Sequence, residues 1–195
     1  MRRLYVSTRN RHKLEELRIL LGDTVELHHP GPDDPDVEET GQTLFENALL
    51  KARAGFTRSG IPTLADDTGL EVDALDGAPG VYSSRYAGER ATYEENRHKL
   101  IEVIRQFPEE ARTARFRSII VYVDGVRELH FEGEVEGTIL TDERGTNGFG
   151  YDSVFLPKGE TRTMAEMTDR EKNAISHRGR ALRAFLQWWK SEDAG

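Results

Sequence analysis

The sequence contains no cysteine and no long hydrophobic run, and each absence excludes a class of protein. Without cysteine, the chain can form no disulfide, use no thiol nucleophile and build no thiolate metal site. Any metal ion must therefore be bound by oxygen or imidazole, and oxygen ligands favour magnesium, calcium or manganese. The apolar stretch after the basic start MRRLYVSTRN is too short for a signal peptide, and no segment could span a bilayer. We expect a cytoplasmic protein.

Positive charge is also scarce, since 27 lysines and arginines stand against 35 acids and the formal net charge is −8. Affinity for nucleic acid polymers comes mainly from neutralisation of phosphates by basic side chains, so such a polymer is not expected as a partner. A small phosphorylated ligand needs only a local basic pocket and can bring a divalent cation with it. The length of 195 residues fits one folded domain, residues 1–195, with room for two lobes.

Strand-like and helical segments alternate along the first part of the chain. The predicted order is strand, helix, strand, helix, carried by RLYVST, NRHKLEELRILLG, TVELHH and TLFENALLKARAGF. Gly22 is predicted to end the first of these helices. The buried face of the second is predicted at Phe45, Leu49, Ala52 and Phe56.

Further along, two capping boxes and a hairpin signal complete the pattern. Thr92 with Glu95, and Thr168 with Glu171, have the spacing that predicts the start of a helix. Asp124-Gly125 joins two β-branched and aromatic runs, which predicts a hairpin. Together these signals predict an α/β fold with a central mixed β-sheet and flanking helices.

The first strand-to-helix junction, STRNRHK from Ser7 to Lys13, is a candidate phosphate site. Hydroxyls, Asn10 and the N–H groups of a helix start are suited to binding a phosphate, and Lys13 adds positive charge in the first turn. The alternative is an ordinary N-cap, because helix starts commonly use these residues.

Acids occur in pairs at two places, Glu38-Glu39 in a loop and Asp66-Asp67 in LADDTGLEVDAL, where they are predicted to end a strand. Strand ends and neighbouring loops meet at the same crevice of a sheet, so acids from both segments could share one hard cation. Magnesium commonly takes only one or two protein carboxylates. The alternative is that Glu38 and Glu39 are solvated and that one aspartate caps Gly69.

Two later segments could contact a nucleotide. In GTNGFGYD, Phe149 or Tyr151 could present a flat face to a nucleobase, or both could be core aromatics beside a turn. In EKNAISHRGRAL, Lys172 and His177 diverge by about 140° on a straight helix, so they could share a ligand only if the helix breaks. Ser176 is predicted to cap a new helix that begins at His177. The alternative is a solvated helix face on which only His177 is buried.

In this order, the segments resemble the inosine triphosphate pyrophosphatase family, also called XTP/dITP diphosphatases. The resemblance extends from Ser7 to about Leu182 and is carried by STRNRHK, EETGQTLFENALLKA, ADDTGLEVDALDGAPGVYSSRYAG, GTNGFGYD and EKNAISHRGRAL. It implies a magnesium-dependent hydrolase that converts ITP, dITP or XTP to the monophosphate and pyrophosphate. It also implies an elongated two-lobed fold, an active cleft between the lobes and a homodimer.

The resemblance implies roles for individual residues as well. Glu39 and Asp67 would bind magnesium, and Asp67 would also accept the proton of the attacking water. Thr68 would contact the substrate. The triphosphate would be bound by Thr8, Arg9, Asn10, Arg11, His12 and Lys13. The nucleotide and base pocket would be formed by Phe149, Gly150, Tyr151, Asp152, Lys172, His177 and Arg178.

Two residues depart from the family pattern. Arg9 stands where glycine is more frequent, so its guanidinium either points outward or reaches phosphate. Thr68 stands where serine is usual and keeps the hydroxyl. Two rival functions stay open: a pyrophosphatase for modified pyrimidine nucleotides, and a nucleotide sensor that does not hydrolyse its ligand.

Overall fold

The computed structural model describes residues 2–22 and 25–192, and this part of the chain contains a mixed β-sheet with flanking helices. Within these residues the sheet has seven strands, six of them in the order β2-β1-β3-β5-β6-β7, while β4 pairs with β3. The strands are β1 Arg2–Val6, β2 Val25–His28, β3 Thr63–Val72, β4 Pro79–Gly80, β5 Thr113–Val123, β6 Glu128–Ile139 and β7 Phe155–Pro157. The α-helices are α1 Arg11–Leu21, α2 Leu44–Ser59, α3 Tyr93–Ile104, α4 Asp169–Ile175 and α5 His177–Ser191.

Parallel and antiparallel strand pairs both occur, so the predicted mixed sheet is confirmed. β1 is parallel to β2 and to β3, whereas β4 is antiparallel to β3 and β7 is antiparallel to β6. The parallel pairs follow from crossover connections, because α1 joins β1 to β2 and α2 joins β2 to β3. The hairpin predicted at Asp124-Gly125 joins β5 to β6, which are neighbours in the sheet.

The chain divides into two compact units, which we call the first and the second unit. The first comprises Met1–Asp67, Ser118–Gly133 and Arg178–Gly195, and the second comprises Thr68–Arg117 and Glu134–His177. Each has its own hydrophobic core. The core of the first unit includes Leu17, Leu64, Leu182 and Phe185. The core of the second unit includes Leu70, Leu100, Tyr151 and Phe155.

The predicted helix boundaries are confirmed where a capping signal defined them. Both capping boxes form, with the threonine hydroxyl accepting from the N3 backbone and the glutamate accepting from the N-cap backbone in α3 and α4. Gly22 is the C-cap of α1. In the part of the chain that the structure describes, we find no helix with the length and apolar character needed to cross a membrane.

The predicted buried face of α2 is correct at Ala52 and wrong at Phe45, while Leu49 and Phe56 are partly buried. Phe45 is 40% exposed and lies edge-on against His130, and the buried positions of the helix are Leu44, Asn47, Ala48, Ala52 and Gly55. A Cβ on Gly55 would lie 2.8 Å from Thr63 Cγ2 and 2.9 Å from Ser7 Cβ. The helix therefore packs through small residues, because its backbone approaches the β1 and β3 segments too closely for large side chains.

Candidate active site

Asp66 and Asp67 lie inside β3, so the prediction that they end a strand is wrong. β3 continues to Val72, whereas its pairing with β1 stops at Val6 and Leu64. The two acids therefore lie just beyond the point where β1 ends. Neither aspartate caps Gly69, because Gly69 belongs to the same strand. Successive side chains of a strand point to opposite faces, and the two acids accordingly join two different ion networks.

Asp66 is the centre of a buried network in the first unit. Its Oδ2 lies 3.1 Å from Arg178 Nε and 3.2 Å from Lys13 Nζ, and Arg178 Nη1 also donates to Glu16 Oε2. Asp66 is 3% exposed, Arg178 2% and Glu16 8%. Burial raises the pKa of Asp66, but Lys13 and Arg178 more than offset this and hold it well below its usual range. Two acids thus neutralise two cations in a largely buried site.

Asp67 belongs to a second network, in which Lys51 joins it to Glu39. Lys51 Nζ lies 2.7 Å from Asp67 Oδ1 and 2.9 Å from Glu39 Oε1. Burial lowers the pKa of Lys51, but Asp67 and Glu39 outweigh that effect and raise it. Burial raises the pKa of Asp67, with Glu39 adding to the rise and Lys51 opposing it. A carboxylate with a raised pKa is a stronger proton acceptor, which suits a general base.

Lys51 and Glu16 were not predicted from the sequence as site residues. Lys51 could have been found from the pattern of α2, because it lies beside the buried Ala48 and Ala52, on a face where a solvated lysine is not expected. The sequence pattern of α1 gives a weaker indication that Glu16 is buried. It adjoins Leu17 on α1, and its burial follows from a partner on a distant helix.

Glu39 and Asp67 fit a divalent cation. Their carboxylates converge on one positive charge, the Lys51 ammonium. Across residues 2–22 and 25–192, no group of three or more histidines and acids is arranged to hold a metal. A site of two carboxylates suits magnesium, which completes its coordination with water and substrate phosphates. Glu38 is exposed, so the solvated alternative applies to that acid.

The junction between β1 and α1 is organised as an N-cap. Asn10 Oδ1 accepts from the backbone nitrogens of His12 and Lys13, and Thr8 Oγ1 accepts from Asn10 N. Arg11 and His12 are exposed in the first turn. The N-cap interpretation is therefore correct for the Asn10 side chain. Phosphate binding by the same segment stays a prediction.

Arg9 contacts the acidic loop before α2. Its Nη2 donates to the carbonyl oxygens of Gly31 (3.4 Å) and Pro32 (3.3 Å), and its Nε lies 3.1 Å from Asp36 Oδ1. Among the described residues, Asp76 is the one non-glycine residue with positive φ, so Arg9 does not need glycine's conformational freedom. This side chain thus links the start of α1 to the loop that leads to Glu39.

In the second unit, Asp152 organises the glycine-rich segment around Phe149. Asp152 Oδ2 accepts from Lys172 Nζ (2.6 Å) and from the backbone nitrogen of Phe149 (2.8 Å). The Lys172 ammonium also lies 4.9 Å from the centre of the Phe149 ring. Gly148 has a φ of +74°, and a Cβ there would lie 2.2 Å from Asp152 Oδ2. Glycine is required at this turn because the carboxylate occupies the side-chain position.

Phe149 and Tyr151 differ in environment: the core-aromatic interpretation is correct for Tyr151, and contact of Phe149 with a nucleobase stays a prediction. Tyr151 is a core aromatic, 4% exposed, whose hydroxyl donates to the carbonyl of Ser83. Any contact between Tyr151 and a substrate would therefore involve its backbone. Phe149 is half-buried, and Gly150 also has positive φ.

The predicted helix break at Ser176 is confirmed. α4 ends at Ile175, Ser176 has extended angles of φ −65° and ψ 156°, and α5 begins at His177. Lys172, His177 and Arg178 are all buried, so the solvated-face alternative is wrong. His177 stacks on Phe116 with 4.7 Å between ring centres.

The expected site residues fall into two groups along the chain. The first unit contains Thr8, Arg9, Asn10, Arg11, His12, Lys13, Glu39, Asp67 and Arg178. The second unit contains Thr68, Phe149, Gly150, Tyr151, Asp152, Lys172 and His177. Within the first unit, direct contacts join Lys13 and Arg178 through Asp66, and join Glu39 and Asp67 through Lys51.

The chain is similar to known proteins over nearly its whole length. A family model described as the Ham1 family matches residues 4–188. A dITP/XTP pyrophosphatase from Geobacter sulfurreducens is 50% identical over 186 residues, which are 93% of this chain and 94% of the relative. One from Porphyromonas gingivalis is 48% identical over 193 residues, 95% and 98% of the two chains. The structure of a HAM1 protein from Coxiella burnetii gives a TM-score of 0.89 at 40% identity, covering 98% of this chain and 100% of that one.

Proposed function

The chain belongs to the Ham1 family, and from this membership we propose that it hydrolyses ITP, dITP and XTP to the monophosphate and pyrophosphate. One structural observation carries the proposal. Glu39 and Asp67, from a loop and a strand, converge on a single cation next to the strand-to-helix junction that ends in Lys13. Such an arrangement suits a nucleoside triphosphate that enters with a metal ion. Removing nonstandard purine nucleotides would keep them out of DNA and RNA.

In the proposed reaction, water attacks the α-phosphorus and pyrophosphate leaves. Glu39 and Asp67 would hold magnesium, which when bound would neutralise charge on the phosphate oxygens. Asp67 takes the proton from the attacking water. Lys13, in the first turn of α1, stabilises the departing pyrophosphate. The reaction needs no covalent nucleophile.

Base selection is proposed to follow hydrogen-bond polarity. A 6-oxo purine offers an acceptor where adenine offers a donor, and Arg178, His177 and backbone N–H groups supply donors. In a site built for hydrogen bonding, such a mismatch can lower kcat/KM for the wrong base roughly 10⁴-fold relative to the right one. Xanthine has a 2-oxo group, which is a hydrogen-bond acceptor, whereas guanine has a 2-amino group, which is a donor. We therefore expect the pocket to bind purines with an acceptor at position 2 and to reject purines with a donor there. Equal turnover of GTP and XTP would contradict this expectation.

A pyrophosphate-release panel tests the function. ITP, dITP, XTP, ATP, GTP and CTP are compared with and without magnesium, and we expect turnover of the first three only in its presence. Preferred turnover of pyrimidine nucleotides would instead support the rival pyrophosphatase. The resemblance found in the sequence supports the further proposals that the metal is magnesium and that the protein is a cytoplasmic homodimer.

The role of Asp67 separates an enzyme from a nucleotide sensor. Asp67→Asn should lower kcat for ITP by about 10²–10⁴-fold, because it removes the base, while much of the nucleotide binding is retained. Glu38→Gln is the matched control, since Glu38 is an exposed acid beside Glu39. If Asp67→Asn left turnover unchanged, the hydrolytic mechanism would be wrong.

A further inference from the structure

Helix α3 contacts the glycine-rich turn at Phe149 and Gly150 through two side chains that the proposed reaction does not use. Arg97 Nη1 donates to the carbonyl oxygen of Gly150 at 3.0 Å, and the centre of the Tyr93 ring lies 5.8 Å from that of Phe149. We propose that α3 positions Phe149 for the purine, with Arg97 fixing the backbone of the turn and Tyr93 holding the ring. The inference rests on the proposed function and on the predicted contact between Phe149 and the base.

The guanidinium of Arg97 is itself held in place. Its Nε donates to Glu143 Oε2 at 2.9 Å, while its Nη1 donates to the carbonyl of Gly150. Glu143 Oε2 also accepts from the hydroxyl of Ser153 at 2.8 Å, and Ser153 is 8% exposed. Because the guanidinium is planar and its donors have a fixed geometry, the bond to Glu143 determines where Nη1 points. The Gly150 carbonyl is therefore bound by a network that is anchored at a buried residue.

Packing fixes the residues after the turn more firmly than the turn itself. Tyr151 and Asp152 are each 4% exposed, whereas Phe149 and Gly150 are half-buried. A Cβ added at Gly150 would meet nothing within 4 Å, so close packing does not restrict this residue. Its position depends instead on hydrogen bonds, from Phe149 N to Asp152 Oδ2 and from Arg97 to the Gly150 carbonyl. Loss of the Arg97 bond should thus allow the Phe149 ring to move.

Tyr93 and Lys172 both contact the Phe149 ring. The Lys172 ammonium lies 4.9 Å from the ring centre, and the Tyr93 ring meets it at an interplanar angle of 44°. Tyr93 lies one turn before Arg97 on α3, so the two side chains project from the same face of that helix. Tilted aromatic contacts favour particular ring orientations. A base that contacts Phe149 would therefore meet a ring whose orientation is set partly by α3.

Stability alone does not explain Arg97. The side chains of Arg97 and Glu143 are 20% and 33% exposed, and ion pairs that solvent reaches contribute little to stability. Arg105, the residue after α3, makes a comparable contact, because its Nη2 donates to the carbonyl of Thr141 at 3.1 Å. Arg105 thus joins the end of α3 to the same segment of chain, but at Thr141 instead of at the turn. The two arginines allow structural support to be separated from positioning.

The experiment compares ITP with a ligand that has no base. Arg97→Met should raise KM for ITP by about 10-fold, as expected for loss of a hydrogen bond to a charged group. The value of kcat should change by less than about twofold, because a contact to the base is lost equally from the ground state and the transition state. The inhibition constant of magnesium tripolyphosphate should also stay within about twofold of wild type, since this ligand cannot contact Phe149. Arg105→Met is the matched control and should leave KM for ITP unchanged.

Variants of Tyr93 test the contact with the ring. Tyr93→Ala should raise KM for ITP by about 2–10-fold, whereas Tyr93→Phe keeps the ring and should give the wild-type value. In a double-mutant cycle, Arg97→Met should have no further effect on KM once Phe149 is replaced by alanine. A role in stability alone would not produce this dependence on Phe149.

A KM for ITP that stayed within about twofold of wild type in both Arg97→Met and Tyr93→Ala would overturn the inference. An equal loss of affinity for tripolyphosphate would also overturn it. If Arg97→Met did not fold, as judged by circular dichroism, an unchanged KM in Tyr93→Ala would decide against the inference by itself, since Tyr93 is exposed and its replacement should be tolerated. If the wild-type protein did not hydrolyse ITP at all, the proposed function itself would fail, which is a distinguishable result.

Discussion

Lys51 occupies the point between Glu39 and Asp67 at which the proposed metal would bind, so its replacement tests the site directly. We expect Lys51→Met to make the folded protein depend on magnesium. Without the ammonium, two carboxylates in a largely buried position repel each other, and a divalent cation becomes the means of neutralising them. In the wild-type protein, magnesium must first displace Lys51, so the metal alone should stabilise it less.

The size of the effect follows from burial. Removing one partner of a buried ion group costs about 3–5 kcal/mol. The Glu39 side chain is 28% exposed and that of Asp67 is 9% exposed, so solvent screens part of the repulsion. We therefore expect Lys51→Met to lower the free energy of unfolding in EDTA by about 3 kcal/mol, the lower end of that range. For a chain of 195 residues this corresponds to a decrease of about 6–12 °C in melting temperature. Magnesium at about 100 times its dissociation constant should restore about 2.7 kcal/mol.

Thermal unfolding followed by circular dichroism measures the loss of stability in EDTA and its recovery across a magnesium titration. Isothermal titration of the metal without nucleotide should show tighter binding to Lys51→Met than to wild type. Lys158→Met is the control, because Lys158 forms an exposed ion pair with Glu136 at 2.8 Å and should give no magnesium response. If Lys51→Met and wild type had the same melting temperatures with and without magnesium, the two carboxylates would not form a cation site.

Two further predictions concern Asp66 and Gly148. Although burial raises the pKa of Asp66, Lys13 and Arg178 hold it well below 3.8, so its contribution to stability is full above that pH and is lost as the pH falls below it. Asp66→Asn should therefore be less stable at neutral pH and lose less additional stability on acidification, as measured by denaturant unfolding at each pH; parallel pH profiles would contradict the assignment. Gly148→Ala should cost about 1–3 kcal/mol and raise KM for ITP, because its Cβ would lie 2.2 Å from Asp152 Oδ2. Gly150→Ala shares the positive φ but would meet nothing within 4 Å, so equal effects of the two substitutions on KM would show that the carboxylate is not the cause.

Local signals in the sequence predicted much of the architecture. The alternation of strands and helices predicted the mixed sheet, and the capping boxes at Thr92 and Thr168 placed the starts of α3 and α4 correctly. The break at Ser176 was predicted from the capping preference of serine together with helix geometry, since Lys172 and His177 cannot face one ligand on a straight helix. Each of these features depends on neighbours in sequence, which explains why they could be predicted.

The errors arose where distant residues decide the outcome. Asp66 and Asp67 were placed at a strand end because an apolar run stops at them, yet β3 continues through both, and Lys13, Arg178 and Lys51 neutralise their charges. The face of α2 was assigned to large apolar residues, whereas close approach to the sheet requires Gly55. Neither the ion pairs of the two aspartates nor the close packing at Gly55 can be predicted from residue spacing along one helix or strand, because the contacting residues are far apart in sequence.

The charges of the first unit bear on how the proposed triphosphate substrate would be bound by an acidic protein. Four acids, Glu16, Glu39, Asp66 and Asp67, surround three cations, Lys13, Lys51 and Arg178. Each of these cations is already matched to a carboxylate, so they offer little surplus positive charge to a triphosphate. A divalent ion that replaces the Lys51 ammonium between Glu39 and Asp67 would add charge and also leave that ammonium available to a phosphate. Adjacent acids on opposite faces of one strand thus have different partners, with Asp66 paired to Lys13 and Arg178 and Asp67 at the position proposed for a metal ion.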